Sequence, residues 1–207
     1  MAVKKILLGV LIIIFPLSLG ILFSQYMNQG KGTFEGVAAT VLPEAKPLPD
    51  FLLEDHRGKA FTNESLRGQW SFVFFGYTHC PDICPTTLAS LNQVDKLLKN
   101  EKGIVLPKTI FISVDPERDT MEQLAEYVPY FNPEFIGVRG SILQLQALTA
   151  PLGIAFGQEG NVESDDYEVF HSSRILLIDP KARLKALFSS PQDVNQIASD
   201  YIKIIDS

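Results

Sequence analysis

From residue 50 onward, short apolar runs alternate with stretches in which apolar residues recur every three or four positions, the pattern of strands interleaved with amphipathic helices. Phe51-Leu52-Leu53 and Phe61-Thr62 flank the turn-forming Asp55-His56-Arg57-Gly58 and predict a β-hairpin. Residues 70–77 (WSFVFFGY) form a continuous apolar run, short and rich in aromatics, which predicts a strand buried on both faces. Leu88, Leu91, Val94, Leu97 and Leu98 recur at helical spacing and predict a helix over 85–99. The pattern continues with a strand at 108–114, a helix at 121–131, a short strand at 135–138 and a helix at 141–152. A strand at 174–178, a turn at 179–182, a strand at 184–188 and a helix at 191–204 complete it. Alternating strands and helices with two hairpins predict an α/β sandwich with a mixed central sheet. There is no internal repeat and no low-complexity tract.

The start of the chain follows a different rule. Residues 6–23 are an uncharged apolar run of 18 behind Lys4 and Lys5, and no charge returns until Lys31. As a helix the run is about 27 Å long, close to the hydrocarbon thickness of a bilayer. It exceeds the apolar core of a signal peptide, about 7 to 15 residues, and no A-x-A cleavage site follows it, so an uncleaved transmembrane helix is expected. Lysines ahead of the span place the start in the cytoplasm and send the rest across the membrane. No cysteine stands directly after the span, so lipidation is not the anchor, and the leader lacks the Arg-rich, Ser-rich character of a mitochondrial transit peptide. The expected organisation is a membrane anchor over 1–27, a Gly- and Pro-containing linker over 28–45 and one domain over 46–207. A bacterial inner membrane, with the C-terminal domain in the periplasm, is the simplest location.

Composition narrows the function. The 207 residues carry a formal charge of −6, of which −7 falls on residues 46–207. An acidic chain of this kind lacks the basic surface that nucleic acid requires. Its charge suits cationic or metal-bearing partners as well as it suits simple solubility. With 46% hydrophobic residues the chain is too apolar for disorder, and two cysteines are too few for a disulfide scaffold or an all-cysteine zinc site.

Those two cysteines sit in Gly76-Tyr77-Thr78-His79-Cys80-Pro81-Asp82-Ile83-Cys84-Pro85, at the carboxyl end of the strand predicted to be buried, where active groups of open α/β folds gather. Each precedes a proline, which biases it out of the α region and predicts an exposed turn. Pro85 suits a first helical position and leaves Cys84 near the N-cap, where the positive helix end favours a thiolate. Two such sulfurs can close a reversible disulfide or clasp a soft metal ion. A purely structural bridge over so few residues removes little chain entropy. Of the three histidines, His56 reads as a solvated turn residue, and His79 points away from its neighbour Cys80 in an extended segment. His171 precedes the strand at 174–178 and follows a loop-like stretch, 153–166, with three glycines and four acidic residues. Spacing alone does not place it beside the cysteines. In Asp115-Pro116-Glu117-Arg118-Asp119-Thr120-Met121-Glu122, Asp119 reads as a helix N-cap with Glu122 completing a capping box.

GYTHCPDICPTTL, then SVDPERDT, then YEVFHSS ahead of RILLID, resembles the Sco/SenC family of copper proteins, whose members assist assembly of the binuclear copper centre of cytochrome c oxidase. The likeness runs from about residue 46 to the C-terminus. It implies a thioredoxin-like fold, Cys80, Cys84 and His171 as copper ligands, the copper-bearing oxidase subunit as partner and an upstream copper donor. Phe170 departs from the pattern, since many relatives carry Asp before the histidine. The donor chemistry agrees: two thiolates select Cu(I), and an imidazole adds a ligand that Cu(II) prefers, although zinc would accept the same set. A metallochaperone is therefore expected rather than an enzyme. The alternative is a thiol-disulfide reductase using Cys80 and Cys84 to keep the oxidase cysteines reduced. A peroxidase or redox sensor forming a sulfenic acid is the third reading.

Overall fold

The computed structural model describes residues 36–161 and 166–207. The expected membrane span and the first part of the linker lie outside them. Among the described residues no helix is long and apolar enough to cross a membrane.

The chain forms strands β1 (Thr40–Pro47), β2 (Leu52–Asp55) and β3 (Ala60–Thr62), a single helical turn α1 (Asn63–Leu66), then β4 (Ser71–Gly76) and the long helix α2 (Ile83–Asn100). There follow β5 (Lys108–Ser113), α3 (Met121–Phe131), β6 (Ile136–Arg139) and α4 (Ile142–Thr149), which tightens into a 3₁₀ turn (Ala150–Leu152) at Pro151. Strands β7 (Phe156–Asn161) and β8 (Asp166–His171), β9 (Ile175–Ile178), β10 (Arg183–Phe188) and helix α5 (Val194–Ile205) complete the fold.

Eight strands form one mixed sheet in the order β1-β10-β9-β4-β5-β6-β2-β3, and β7 and β8 form a separate hairpin. The central strands β4, β5 and β6 run parallel, while β9 pairs antiparallel with β4. Every residue of β4 is buried, as its unbroken apolar run predicts. Phe72 meets Tyr201 of α5 on one face, with ring centroids 5.5 Å apart. On the other face Val73 and Phe75 share an apolar pocket with Leu66, Leu148 and Leu152. Alternation along a pleated strand between two apolar layers explains why β4 is apolar from Phe72 onward, with Ser71 at its first position the one buried polar side chain.

Three segments differ from the sequence reading. Thr40–Pro47, which straddles the expected boundary between the linker (28–45) and the domain, is a strand that pairs with β10. Its residues are exposed or half-buried, so it carries none of the alternation that would reveal it. Its approach is fastened by Asp200, a fully buried carboxylate that accepts the backbone N–H groups of Ala38 and Ala39, both at 2.9 Å. The loop expected over 153–166 contains β7 and the first residue of β8. And α3 is capped by Thr120, whose side chain accepts from Gln123 N while Gln123 answers to Thr120 N, so Asp119 and Glu122 do not form the capping box. Asp119 is fully buried, and its carboxylate serves the loop that carries the cysteines.

Candidate metal centre

Strand register brings the relevant segments together. Gly76, the last residue of β4, pairs with Ser113, the last of β5, so the parallel strands emit segments 77–82 and 114–120 side by side. Phe74 pairs with Ile175 at the start of antiparallel β9, so the residues that precede β9 arrive at the same end of the sheet. Cys80 comes from the first of these segments, Cys84 from the helix turn that follows it and His171 from the residues ahead of β9, and one ligand atom from each lies within 4.8 Å of the other two. A metal bound at about 2.0–2.3 Å holds its ligands closer than this, so a small inward rotation of side chains closes the set.

Cys80 lies in the turn after β4, half-buried, with its N–H donating to Tyr77 O. Cys84 is the second residue of α2 and fully buried. The proline bias against helix is overridden there: Pro85 falls in the first turn, where its missing N–H has no intrahelical acceptor to lose, and burial of Cys84 in the core favours the helical position. Burial also overturns the expected low-pKa thiolate. Loss of solvation pushes the Cys84 thiol well above its ordinary value, outweighing the hydrogen bond to the Tyr77 backbone that lowers it. A metal loading this site therefore displaces a proton from Cys84.

His171 Nε2 stands 3.4 Å from Cys84 Sγ, and its Nδ1 lies 3.1 Å from the carbonyl of Ser172. Donation from Nδ1 to that carbonyl leaves the Nε2 lone pair facing the sulfur. Burial lowers the imidazole pKa, which keeps the ring neutral and able to ligate. The rings of Phe74 and Tyr77 meet it edge-on, each with its centroid 5.8 Å away, and fix its plane. Phe170 points to the opposite face of β8, 55% exposed, and its ring covers Gly157, its pair across the hairpin, leaving no room for a side chain there. The imidazole is thus oriented by a backbone carbonyl and two aromatic rings rather than by its sequence neighbour.

The other histidines stand apart from this group. His79 is exposed, with Nδ1 near Thr78 Oγ1 and Asp119. His56 is not merely a solvated turn residue, because its Nδ1 accepts the N–H of Gly137 at 2.8 Å and ties the first hairpin to β6.

Sequence reasoning singles out Asp115 and Asp119, to which the resemblance lends functional weight, but favours a capping role for Asp119 and does not reveal how the pair supports the centre. Asp119 accepts from Thr78 N at 3.0 Å, Thr78 Oγ1 at 2.6 Å and Ser113 Oγ at 2.6 Å, holding the loop that leads into Cys80. Asp115, also fully buried, pairs with Arg118 and accepts from Tyr167. One signal was present: Tyr167, Val169 and His171 occupy alternate positions, with Glu168 and Phe170 exposed between them, the period of a strand. The centre opens onto a surface depression of about 530 Å³, lined among others by Cys80, Ile83, Phe170 and His171. Two sulfurs and an imidazole, with one open side, suit a soft ion that must both enter and leave.

The SCO1/SenC family model matches residues 40–206. The chain belongs to the SCO1/SenC family. It is 39% identical over 149 residues to the human protein SCO2 homolog, mitochondrial, an alignment covering 72% of this chain and 56% of that one, so the chain spans a little over half of that relative's length. A SCO2-like protein of Rickettsia felis is 37% identical over 149 residues, covering 70% of this chain and 72% of that one. Among solved structures, Arabidopsis thaliana ScoI with copper bound matches with a TM-score of 0.72 and 34% identity over 77% of this chain and 98% of its own. Bradyrhizobium japonicum ScoI with copper bound gives 0.67 and 32%, over 76% and 99%. The mixed α/β sheet described above is therefore the thioredoxin-like fold of the Sco proteins, as the sequence resemblance implies.

Within this SCO1/SenC chain, Gly76 sets how closely Cys84 approaches the sheet. A Cβ at Gly76 would meet Cys84 Sγ and Phe111 Cε2, both at 2.7 Å. Gly76→Ala is expected to cost about 3 kcal/mol and to displace Cys84, since neither neighbour has free space to retreat into. Thermal unfolding of the metal-free protein measures the loss, and an unchanged midpoint would contradict it.

Proposed function

We propose that this protein is a membrane-tethered copper metallochaperone that takes copper from an upstream donor and delivers it to the binuclear copper site of cytochrome c oxidase. The observation that carries this reading is the convergence of Cys80 Sγ, Cys84 Sγ and His171 Nε2 within 4.8 Å. Two sulfurs satisfy Cu(I), and the neutral imidazole adds the ligand that Cu(II) favours. Support comes from the copper-bound relatives at 34% and 32% identity and from the family resemblance in the cysteine and histidine motifs. Cys84, deep and fixed by the helix, anchors the ion. Cys80, in the turn, faces the open side, where an incoming thiolate or imidazole of the partner can replace ligands one at a time. Transfer then proceeds by ligand exchange, and the ion is never released to water. Residues 6–23 tether the domain to a bacterial inner membrane, with residues 46–207 in the periplasm beside the oxidase subunit that receives the metal.

His171→Ala tests the division of labour. Cu(II) binding is expected to weaken by tenfold or more, while Cu(I), held by both sulfurs, changes little. Titration of the wild-type and variant proteins, followed by sulfur-to-Cu(II) charge-transfer absorption, reads both ligand types together. Unaltered Cu(II) spectra in the variant would remove His171 from the ligand set.

A second reading rests on the two sulfurs themselves. Cys84 N–H donates to Cys80 Sγ at 3.4 Å and the two sulfurs lie within 4.8 Å of each other, so side-chain rotation in the turn can bring them to bonding distance. As a reductase, the Cys80 thiolate would attack a disulfide of the oxidase subunit, forming a mixed disulfide and releasing one partner thiolate. Cys84 would then displace the second, leaving a Cys80–Cys84 disulfide and two electrons on the partner. Accumulation of the mixed disulfide in Cys84→Ser supports this activity, and its absence with an oxidised partner rules it out.

A further inference from the structure

Both arms of the metal centre are fastened to one short segment, residues 113–119. The cysteine arm is held by Asp119 through Thr78. The histidine arm is held by Asp115 and Arg118. Tyr167 Oη donates to Asp115 Oδ1 at 2.7 Å, and Arg118 Nε donates to Asp115 Oδ2 at 2.6 Å. Arg118 Nη1 donates to the carbonyl of Tyr167 at 3.0 Å, and the guanidinium carbon lies 3.7 Å from the centre of the Tyr167 ring. The two fastenings are themselves joined, because Ser113 Oγ accepts from Asp115 N and donates to Asp119 Oδ2.

The β7–β8 hairpin has no strand ladder to the eight-stranded sheet. Among the described residues it is held instead by the buried side chains of Tyr167 and Val169, by Arg118 at the carbonyl of Tyr167 and by Tyr77 at the backbone of Val169. Tyr167 and His171 lie four residues apart on one face of β8, about 13 Å along the strand, so a change where Tyr167 is held moves the imidazole at the other end.

We propose that Tyr167 is a positioning residue whose hydroxyl, through Asp115 and Arg118, latches the β7–β8 hairpin and so holds His171 against the two cysteines. Releasing the latch swings out the histidine arm and leaves both sulfurs where they are. The latch thereby sets how readily the centre passes from three ligands to two, the step that separates holding Cu(II) from holding Cu(I). The copper part of this inference rests on the function proposed above.

The test uses Tyr167→Phe in the full chain, alone and combined with His171→Ala. Without the hydroxyl, buried Asp115 loses one donor, and the metal-free hairpin is expected to open about tenfold more often. Amide hydrogen exchange of residues 156–161 and 167–171 should accelerate by that factor, with residues 71–76 unchanged. Cu(II) affinity should fall about tenfold and Cu(I) affinity by less than about twofold. In the His171→Ala background the substitution should have no further effect on Cu(II), because the imidazole it positions is gone. Hairpin exchange equal to wild type would overturn the proposal, as would a Cu(II) loss that persists without His171 or an equal loss of both oxidation states. If the wild-type protein binds no copper, the function proposed above fails, while the exchange measurement still decides whether Tyr167 holds the hairpin.

Discussion

Replacing Cys80 and Cys84 together by serine is expected to abolish stoichiometric copper binding, the largest effect any substitution in this chain should have. A serine hydroxyl is neutral at physiological pH and a hard donor, so it offers a soft ion nothing that water does not. His171 would remain, but one imidazole without the sulfurs is an ordinary weak site. The two single variants should differ. Cys84 is fully buried, so Cys84→Ser also buries a more polar and shorter hydroxyl, with His171 Nε2 as its nearby acceptor, and lowers stability. Cys80 stands half-exposed in a turn, and Cys80→Ser should cost affinity with little change in unfolding. Equilibrium titration with Cu(I) against a competing chelator, and with Cu(II) followed by charge-transfer absorption, makes the measurement. One-to-one binding by the double variant would sink the metallochaperone reading.

Asp119→Ala should destabilise the fold about as much as Gly76→Ala, without adding any bulk to the core. The Asp119 carboxylate is completely buried and accepts from Thr78 N, Thr78 Oγ1 and Ser113 Oγ. Removing it strands these donors, each costing about 1–3 kcal/mol when left unpaired, partly offset by no longer burying a charge. A net loss of about 3 kcal/mol, or roughly 10 °C in Tm for a domain of this size, is expected. The loop into Cys80 should loosen with it, so copper affinity falls even though no ligand is touched. Asp119→Asn keeps one acceptor oxygen and should cost about half as much. Thermal unfolding of the metal-free variants checks both, and an Asp119→Ala midpoint within 2 °C of wild type, a margin set by about 0.5 kcal/mol, would show that Asp119 does not carry the loop.

How much of this was legible in the residues follows from which interactions are local. Strand β4 and helix α2 were readable because a strand buried on both faces is a nearly continuous apolar run, and a helix packed on a sheet must repeat its apolar stripe. Strand β1 was not, because it lies at the sheet edge with little burial on either side and its register shifts between Val41 and Lys46. The β7–β8 hairpin was hidden by its glycines and acids, which look like loop until Gly157 is seen beneath Phe170 and Tyr167 against Asp115. Asp119 carries the same lesson. Its position before a helix reads as capping, yet Thr120 takes that role, and the carboxylate turns inward to partners 41 and 6 residues away.

The linear sequence by itself determined the alternation of elements, the pair of cysteines at a strand end and, through its motifs, the family. The resemblance implies His171 as the companion of Cys80 and Cys84, but only the tertiary structure shows how a residue 87 positions from the latter reaches them. The physical reason is the direction of one strand. Because β9 runs antiparallel to β4, the residues that precede it arrive at the end of the sheet where β4 delivers the cysteines; a parallel β9 would have left the histidine at the opposite end.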